Sequence, residues 1–408
     1  MRKLLSIAAL ACASVLTACG GGGGSSSPPA AAIPAPAAGG NIAAITVDAG
    51  PVVNGINTAR PNIPFISVQV CAHGTANCQT IDHVQVDTGS AGLRLVSTTA
   101  ISALGLPAES AANGGTLAEC AQFADGVTWG AVRTADISVA GETASNIPIQ
   151  IVGDAAVPNV PTACTNVGST KQTVVSLGAN GIIGLGTLAN DCGLACAQQA
   201  LSIYYGCTNA TTCTDLPVQV SEQLPNPVTH FAADNNGTIV QLPAVSASGA
   251  ATAQGSLIFG IGTQSNNGLG SAQVYTTGAG GTFTATYNGA SLPMSLLDTG
   301  SNALFFPDSS IPACSASTAN GFYCPPSTVA ISVQITGKNN ASTTVSLSIG
   351  NAVSLFTATN SFAFDNIGGP FTGSTGFDFG LPFFFGRSVY TAIAGATTPA
   401  GVGPYVAF

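Results

Sequence analysis

Two runs of this 408-residue chain place an aspartate in the same company. One is His83-Val-Gln-Val-Asp87-Thr-Gly-Ser90. The other, more than two hundred residues later, is Met294-Ser-Leu-Leu-Asp298-Thr-Gly-Ser301. Carboxylates brought side by side cannot both ionise cheaply, so one keeps a proton while the other acts as a base. Such a pair can take a proton from water, direct that water at a carbonyl, and return a proton to the leaving group. The neighbouring residues suit the task. Gly89 and Gly300 carry no Cβ and let two loop backbones approach. The Thr88 and Thr299 hydroxyls are expected to bond the opposite loop and hold the carboxyls in plane. The Ser90 and Ser301 hydroxyls are expected to bond the outer carboxylate oxygens. A single Asp-Thr-Gly-Ser reads as an ordinary turn, because Asp, Gly and Ser dominate turns. The second copy in matching surroundings makes Asp87 and Asp298 a candidate pair.

The elements around them repeat as well. Each motif follows an apolar run and precedes another, Leu93–Val96 in the first case and Ala303–Phe306 in the second. Later in each half comes an apolar segment with a central glycine, Asn180–Gly186 around Gly184 and Phe377–Phe385 around Gly380. Short alternating or apolar runs bounded by Gly, Pro, Asn and Asp recur throughout. Phe65–Val70, His83–Val86, Ile147–Val152, Ser256–Phe259, Val329–Ile335 and Thr344–Ile349 all read as strands. Helical periodicity is scarce, and Cys192–Tyr205 is the best short candidate. The expected class is all-β.

In these motifs the chain resembles the pepsin family of aspartic peptidases. Phe123–Gly130, with Gly126 and Trp129, is similar to that family's flap hairpin. Gly255–Gly260 is similar to the strand closing its first lobe, and Phe379–Tyr390 to its final segment. The resemblance implies a bilobal acid-protease fold of two homologous barrel-like lobes, 42–262 and 263–408, with a cleft between them. It also implies an endopeptidase that hydrolyses peptides or unfolded proteins at acidic pH, with Asp87 and Asp298 as catalytic residues and no cofactor. The chain is similar, too, to uncharacterised bacterial lipoproteins. Several positions depart from the family pattern. Phe123 stands where a flap Tyr is usual, and Arg94 where a Trp that bonds it is usual. Either Trp129 substitutes from a shifted flap or the flap closes differently, and Arg94 is expected to face solvent. Asp378 occupies a place expected to be apolar, and Leu381 replaces an acidic residue. These changes motivate the alternative reading, a non-catalytic envelope lipoprotein that uses the cleft to bind a peptide or protein.

Composition sets the compartment. Arg2 and Lys3 precede an apolar run, Leu4–Ala18, too short to span a bilayer. Leu16-Thr17-Ala18-Cys19 resembles the bacterial lipobox. It implies a signal peptide over 1–18, a lipidated Cys19 and a membrane anchor, with a Gly/Ser/Pro/Ala tether over 19–41. Gly20 lacks the Asp that retains some lipoproteins at the inner membrane, so the outer membrane is expected. Of 12 cysteines, ten lie beyond Cys19, an even number suited to disulfides in an exported chain. The close pairs are Cys71/Cys78, Cys192/Cys196, Cys207/Cys213 and Cys314/Cys324, which leaves Cys120 and Cys164. No Cys-x-x-Cys occurs and the three histidines lie apart, so no metal is expected. Charged residues make up 6% of the chain, with 17 acidic against 8 basic side chains. That balance argues against nucleic acid as a partner. A monomer is expected.

Overall fold

The computed structural model of the chain describes residues 40–58, 60–357, 360–371 and 375–408. Cys19, the expected signal peptide and most of the expected tether lie outside these residues. The structure is mostly β, as expected. Every helix among the described residues is five residues or shorter, and none is long and apolar enough to cross a membrane.

Side-chain alternation builds the strands. Val329–Thr336 sends Ile331, Val333 and Ile335 into the core and leaves Ala330, Ser332 and Gln334 outside. Where a strand is flanked on both sides the alternation gives way to a continuous apolar run. Gly181–Leu185, buried along its whole length, is such a strand. All six runs read as strands fall inside observed ones. Cys192–Tyr205 does not form the expected helix. Only Leu194–Gln198 is helical, and a strand already begins at Tyr204. The physical reason is local: Ile203, Tyr204 and Tyr205 are β-branched or aromatic and suit a strand.

Among the described residues the strands form a 15-stranded sheet, a 7-stranded sheet and two small two-stranded ones. In the larger, Gly126–Val139 pairs with Thr116–Phe123 and Glu142–Val152, and also reaches back to Pro64–Cys71. That extra pairing curls the sheet into a nearly closed barrel. The larger sheet does not stop at residue 262. Gly237–Leu242 pairs with Arg387–Ala392, which pairs with Tyr405–Ala407. The end of the chain therefore completes the sheet begun by the first half. One large hydrophobic cluster runs from Ile45 to Val406 and includes residues of both large sheets.

The same local topology occurs twice. Gly181–Leu185 runs parallel to Cys78–Asp87 and antiparallel to Ala91–Val96, lying between the two strands that flank the first aspartate loop. Asp378–Phe379 lies in the same way between Ala290–Leu297 and Leu304–Phe306. The internal repeat is thus a repeat of loop and threading strand.

All ten cysteines beyond Cys19 pair, as Cys71–Cys78, Cys120–Cys164, Cys192–Cys196, Cys207–Cys213 and Cys314–Cys324. Five disulfides suit an exported chain.

Candidate active site

The two aspartate loops meet and hold each other. The Thr88 backbone N–H donates to Thr299 Oγ1 at 3.1 Å, and the Thr299 N–H donates to Thr88 Oγ1 at 3.0 Å. Each hydroxyl then donates onward across the same boundary. Thr88 Oγ1 reaches the Leu297 carbonyl at 3.2 Å, and Thr299 Oγ1 reaches the Val86 carbonyl at 2.8 Å. Both threonines are buried, so these four bonds compete with little water. Asn62, not singled out in the sequence, adds a second clasp. Its amide donates to the Asn302 and Phe364 carbonyls and accepts from the Phe364 N–H.

The clasp brings the two carboxyls together. A Cβ built on Gly300 would lie 2.6 Å from Asp87 Oδ1 and 3.0 Å from Asp298 Oδ1. A Cβ on Gly89 would lie 2.7 Å from Asp298 Cγ. Only glycine fits either place. The inner oxygens accept from backbone: Gly89 N–H to Asp87 Oδ1 at 2.8 Å, Gly300 N–H to Asp298 Oδ1 at 2.7 Å. The outer oxygens accept from serines: Ser90 Oγ to Asp87 Oδ2 at 2.6 Å, Ser301 Oγ to Asp298 Oδ2 at 2.9 Å. Thr88, Gly89, Ser90, Thr299, Gly300 and Ser301 therefore all stand at the pair. Burial pushes the Asp298 carboxyl well above the ordinary range, and the nearby Asp87 and Asp378 charges add to the push. The Ser301 hydrogen bond opposes it.

Asp378, marked in the sequence as an acid in an apolar place, stands at the same site. Ser301 Oγ lies 2.6 Å from Asp378 Oδ2. Burial raises this carboxyl to about 7, against the Ser301 hydrogen bond and with help from the Asp87 charge. Its strand rests on stacked aromatic rings: Phe377 lies 4.7 Å from Phe306 and 4.2 Å from Phe379.

Asp87, Asp298 and Asp378 all line one cleft of about 360 Å³. Phe123, Phe305 and Phe371 supply apolar walls. The expected flap is a hairpin of Thr116–Phe123 and Gly126–Val139, closed by the two-residue turn Ala124-Asp125. Phe123 and Asp125 reach the cleft, and Asp125 pairs with Lys171. Gly126 follows the turn at φ 152°, against the Lys171 side chain. Trp129 does not substitute for a flap tyrosine. It is fully buried away from the cleft, donates from Nε1 to the Val157 carbonyl at 2.7 Å, and meets Tyr205 edge-on.

Arg94 overturns the expectation that it faces solvent, since it is 3% exposed. Its guanidinium donates to Glu119 at 2.5 and 3.2 Å and lies 3.5 Å from Asp191. Buried counter-charge makes the burial tolerable. Burial and the Glu119 charge push Asp191 upward, with Arg94 opposing. Tyr204 donates to Asp191 at 2.7 Å and accepts from the Leu224 N–H at 2.9 Å. Arg94 sits 5.8 Å over the Phe123 ring, so this network backs the flap from inside the sheet.

Among the described residues, no group of three or more His, Cys, Asp or Glu side chains is placed to hold a metal ion. The family model described as "Protein of unknown function (DUF3443)" matches residues 37–408. A search of curated proteins finds no match to the chain.

Proposed function

We propose, for a chain that belongs to the DUF3443 family, that the clasped carboxyls are the catalytic dyad of an aspartic endopeptidase. The observation that carries this reading is the reciprocal threonine clasp, with each inner carboxyl oxygen held by a glycine N–H. Aspartic peptidases are the known example of two carboxyls sharing one proton in this way, and the motif resemblance to the pepsin family agrees. Burial and the Asp87 charge favour Asp298 as the proton holder. Asp87 then takes a proton from a water held between the inner oxygens, and the water oxygen attacks the peptide carbonyl carbon. The Asp298 proton goes to the carbonyl oxygen as it gains charge. The proton gained by Asp87 passes to the leaving nitrogen as the C–N bond breaks, and one hydroxyl of the gem-diol returns its proton to Asp298 as the carbonyl re-forms. One water is consumed, and the dyad ends with the single proton it began with. A cleft with three aromatic walls suits an apolar stretch of an unfolded chain.

The test is cleavage of an unfolded protein by the purified mature chain across acidic to neutral pH. Expected are cutting that pepstatin blocks and its loss in Asp87→Asn. A folded wild type that cuts nothing at any pH would overturn the reading. The flap supports a second reading, since Phe123 offers the cleft no hydroxyl. A binding-only lipoprotein would keep its cellular role in both Asp87→Asn and Asp298→Asn.

Cys19 would then tether the enzyme by lipid in the cell envelope, at the outer membrane. Cys19→Ser should release the protein in soluble form and abolish labelling by fatty acid. Labelling that persists would refute the anchor.

A further inference from the structure

We propose that Asp378 is a third carboxyl of the site, standing protonated beside the dyad, giving its hydrogen to Ser301 Oγ and helping the dyad keep its own proton toward neutral pH. The proposal deepens the peptidase reading and rests on it for its catalytic meaning.

Ser301 Oγ carries one hydrogen, yet lies within hydrogen-bond reach of two carboxyls, 2.9 Å from Asp298 Oδ2 and 2.6 Å from Asp378 Oδ2. It can donate to only one of them. The other contact needs a protonated carboxyl that donates to the serine. The second observation decides which. Among the described residues Asp378 Oδ1 is buried without a hydrogen-bond partner, while Asp298 Oδ1 accepts from the Gly300 N–H whatever Ser301 does. An orphan oxygen costs far less on a neutral carboxylic acid than on a carboxylate. The chain of donors therefore runs Asp378 to Ser301 to Asp298.

Among the described residues no cation forms an ion pair with Asp378. From the first loop Asp87 faces it and from the second Asp298, both acids. Across the cleft, Lys171 is paired with Asp125, and Arg60 donates to the Ser176 carbonyl. Arg387, on the strand that follows, donates to the Phe383 carbonyl and senses Asp365. The first half has no such acid. Asp378 lies in register with Leu296, two residues before Asp298, and the matching position beside Gln85 is Ile182. The carboxyl is thus an addition to one half of an otherwise repeated frame.

The consequence has a definite sign. As pH rises Asp378 ionises, and its new charge makes the last dyad proton harder to remove. The upper pH limit of cleavage should therefore lie higher in the wild type than in variants that cannot carry this charge. Asp378→Asn keeps a donor for Ser301, and Asp378→Ile copies Ile182, so the pair covers the case in which one variant fails to fold. Both should move the alkaline limb of kcat/KM down by roughly one pH unit, leaving the acid limb in place. Infrared spectra supply a readout apart from activity. At about pH 5.5, where an ordinary aspartate is ionised, the wild type should show protonated-carboxyl absorption from Asp378 in addition to that of the dyad, and both variants should lose that part. A band unchanged in both variants overturns the proposal. So does a kcat lowered equally at all pH values with the limb unmoved, since packing alone would give that. If the wild type cuts nothing while the band behaves as expected, the peptidase reading falls and the protonated Asp378 stands.

Discussion

Thr88 and Thr299 each satisfy two groups at once, a backbone N–H of the opposite loop and a carbonyl beyond it. Thr88→Val keeps the shape and removes the hydroxyl, leaving the buried Thr299 N–H and Leu297 carbonyl without partners. The expected cost is about 1–3 kcal/mol, read as a lower urea midpoint, and cleavage should fall because the two aspartate loops lose bonds that hold them together. Thr88→Ser should recover most of both, and a Thr88→Val protein as stable as the wild type would refute the clasp. These bonds were legible in the sequence because the two motifs carry the same residues in the same order. Arg94 was not, because its burial depends on Glu119 and Asp191, which come close only through strand pairing and a loop far along the chain. Asp378 was half legible. An acid among Phe377, Phe379 and Gly380 stood out, but its bond to Ser301 spans 77 residues and has no local mark.

The threading strands decide whether the loops can close. A Cβ on Gly184 would lie 2.6 Å from the backbone N, Cα and C of Ala91, where no flexible side chain can move aside. Gly184→Ala should therefore destabilise the fold by about 1–3 kcal/mol through overpacking. Gly280→Ala, with nothing within 4 Å of the added methyl, should stay within about 0.5 kcal/mol of the wild type. Equal urea midpoints for the two variants would mean that the threading strand has room to shift. Strand positions were readable because alternation is a local property, as in Val329–Thr336. The Cys192–Tyr205 segment was misread because helical spacing over a few residues says little against two disulfides and an aromatic strand beginning at Tyr204. The same limit hid the return of Arg387–Ala392 to the first sheet, a pairing set by the whole chain.

At the scale of the molecule, the buried acids tie stability to pH. Burial, countered by Ser301 and aided by Asp87, raises Asp378 to about 7. Asp298 is pushed up by burial and by the neighbouring acids, and Asp365 by burial. An acid with a raised folded-state value binds more protons folded than unfolded between its two values. Its contribution is therefore complete below about pH 4, where an unfolded aspartate titrates, and is lost as pH rises. For Asp378 the loss runs from about pH 4 to about 7 and is on the order of a few kcal/mol. Net charge pulls the same way, since the chain carries −9 at pH 7 and self-repulsion eases as carboxylates take protons. Some groups oppose this trend. In Asp136 and Asp308 burial is outweighed by hydrogen bonds, from His73, Gly74 and Asn146 in one and from Ser310 and Tyr287 in the other. Both lose stabilisation as pH falls through their depressed values. His230, lowered by burial, resists charging in acid. The stronger, more deeply buried shifts point upward, so thermal unfolding should show a Tm that is highest at mildly acidic pH and declines toward neutral. In Asp378→Asn the decline between about pH 4 and 7 should be shallower. A Tm that instead rises steadily from acid to neutral pH in the wild type would mean that the carboxyls of the cleft are ionised in the folded protein.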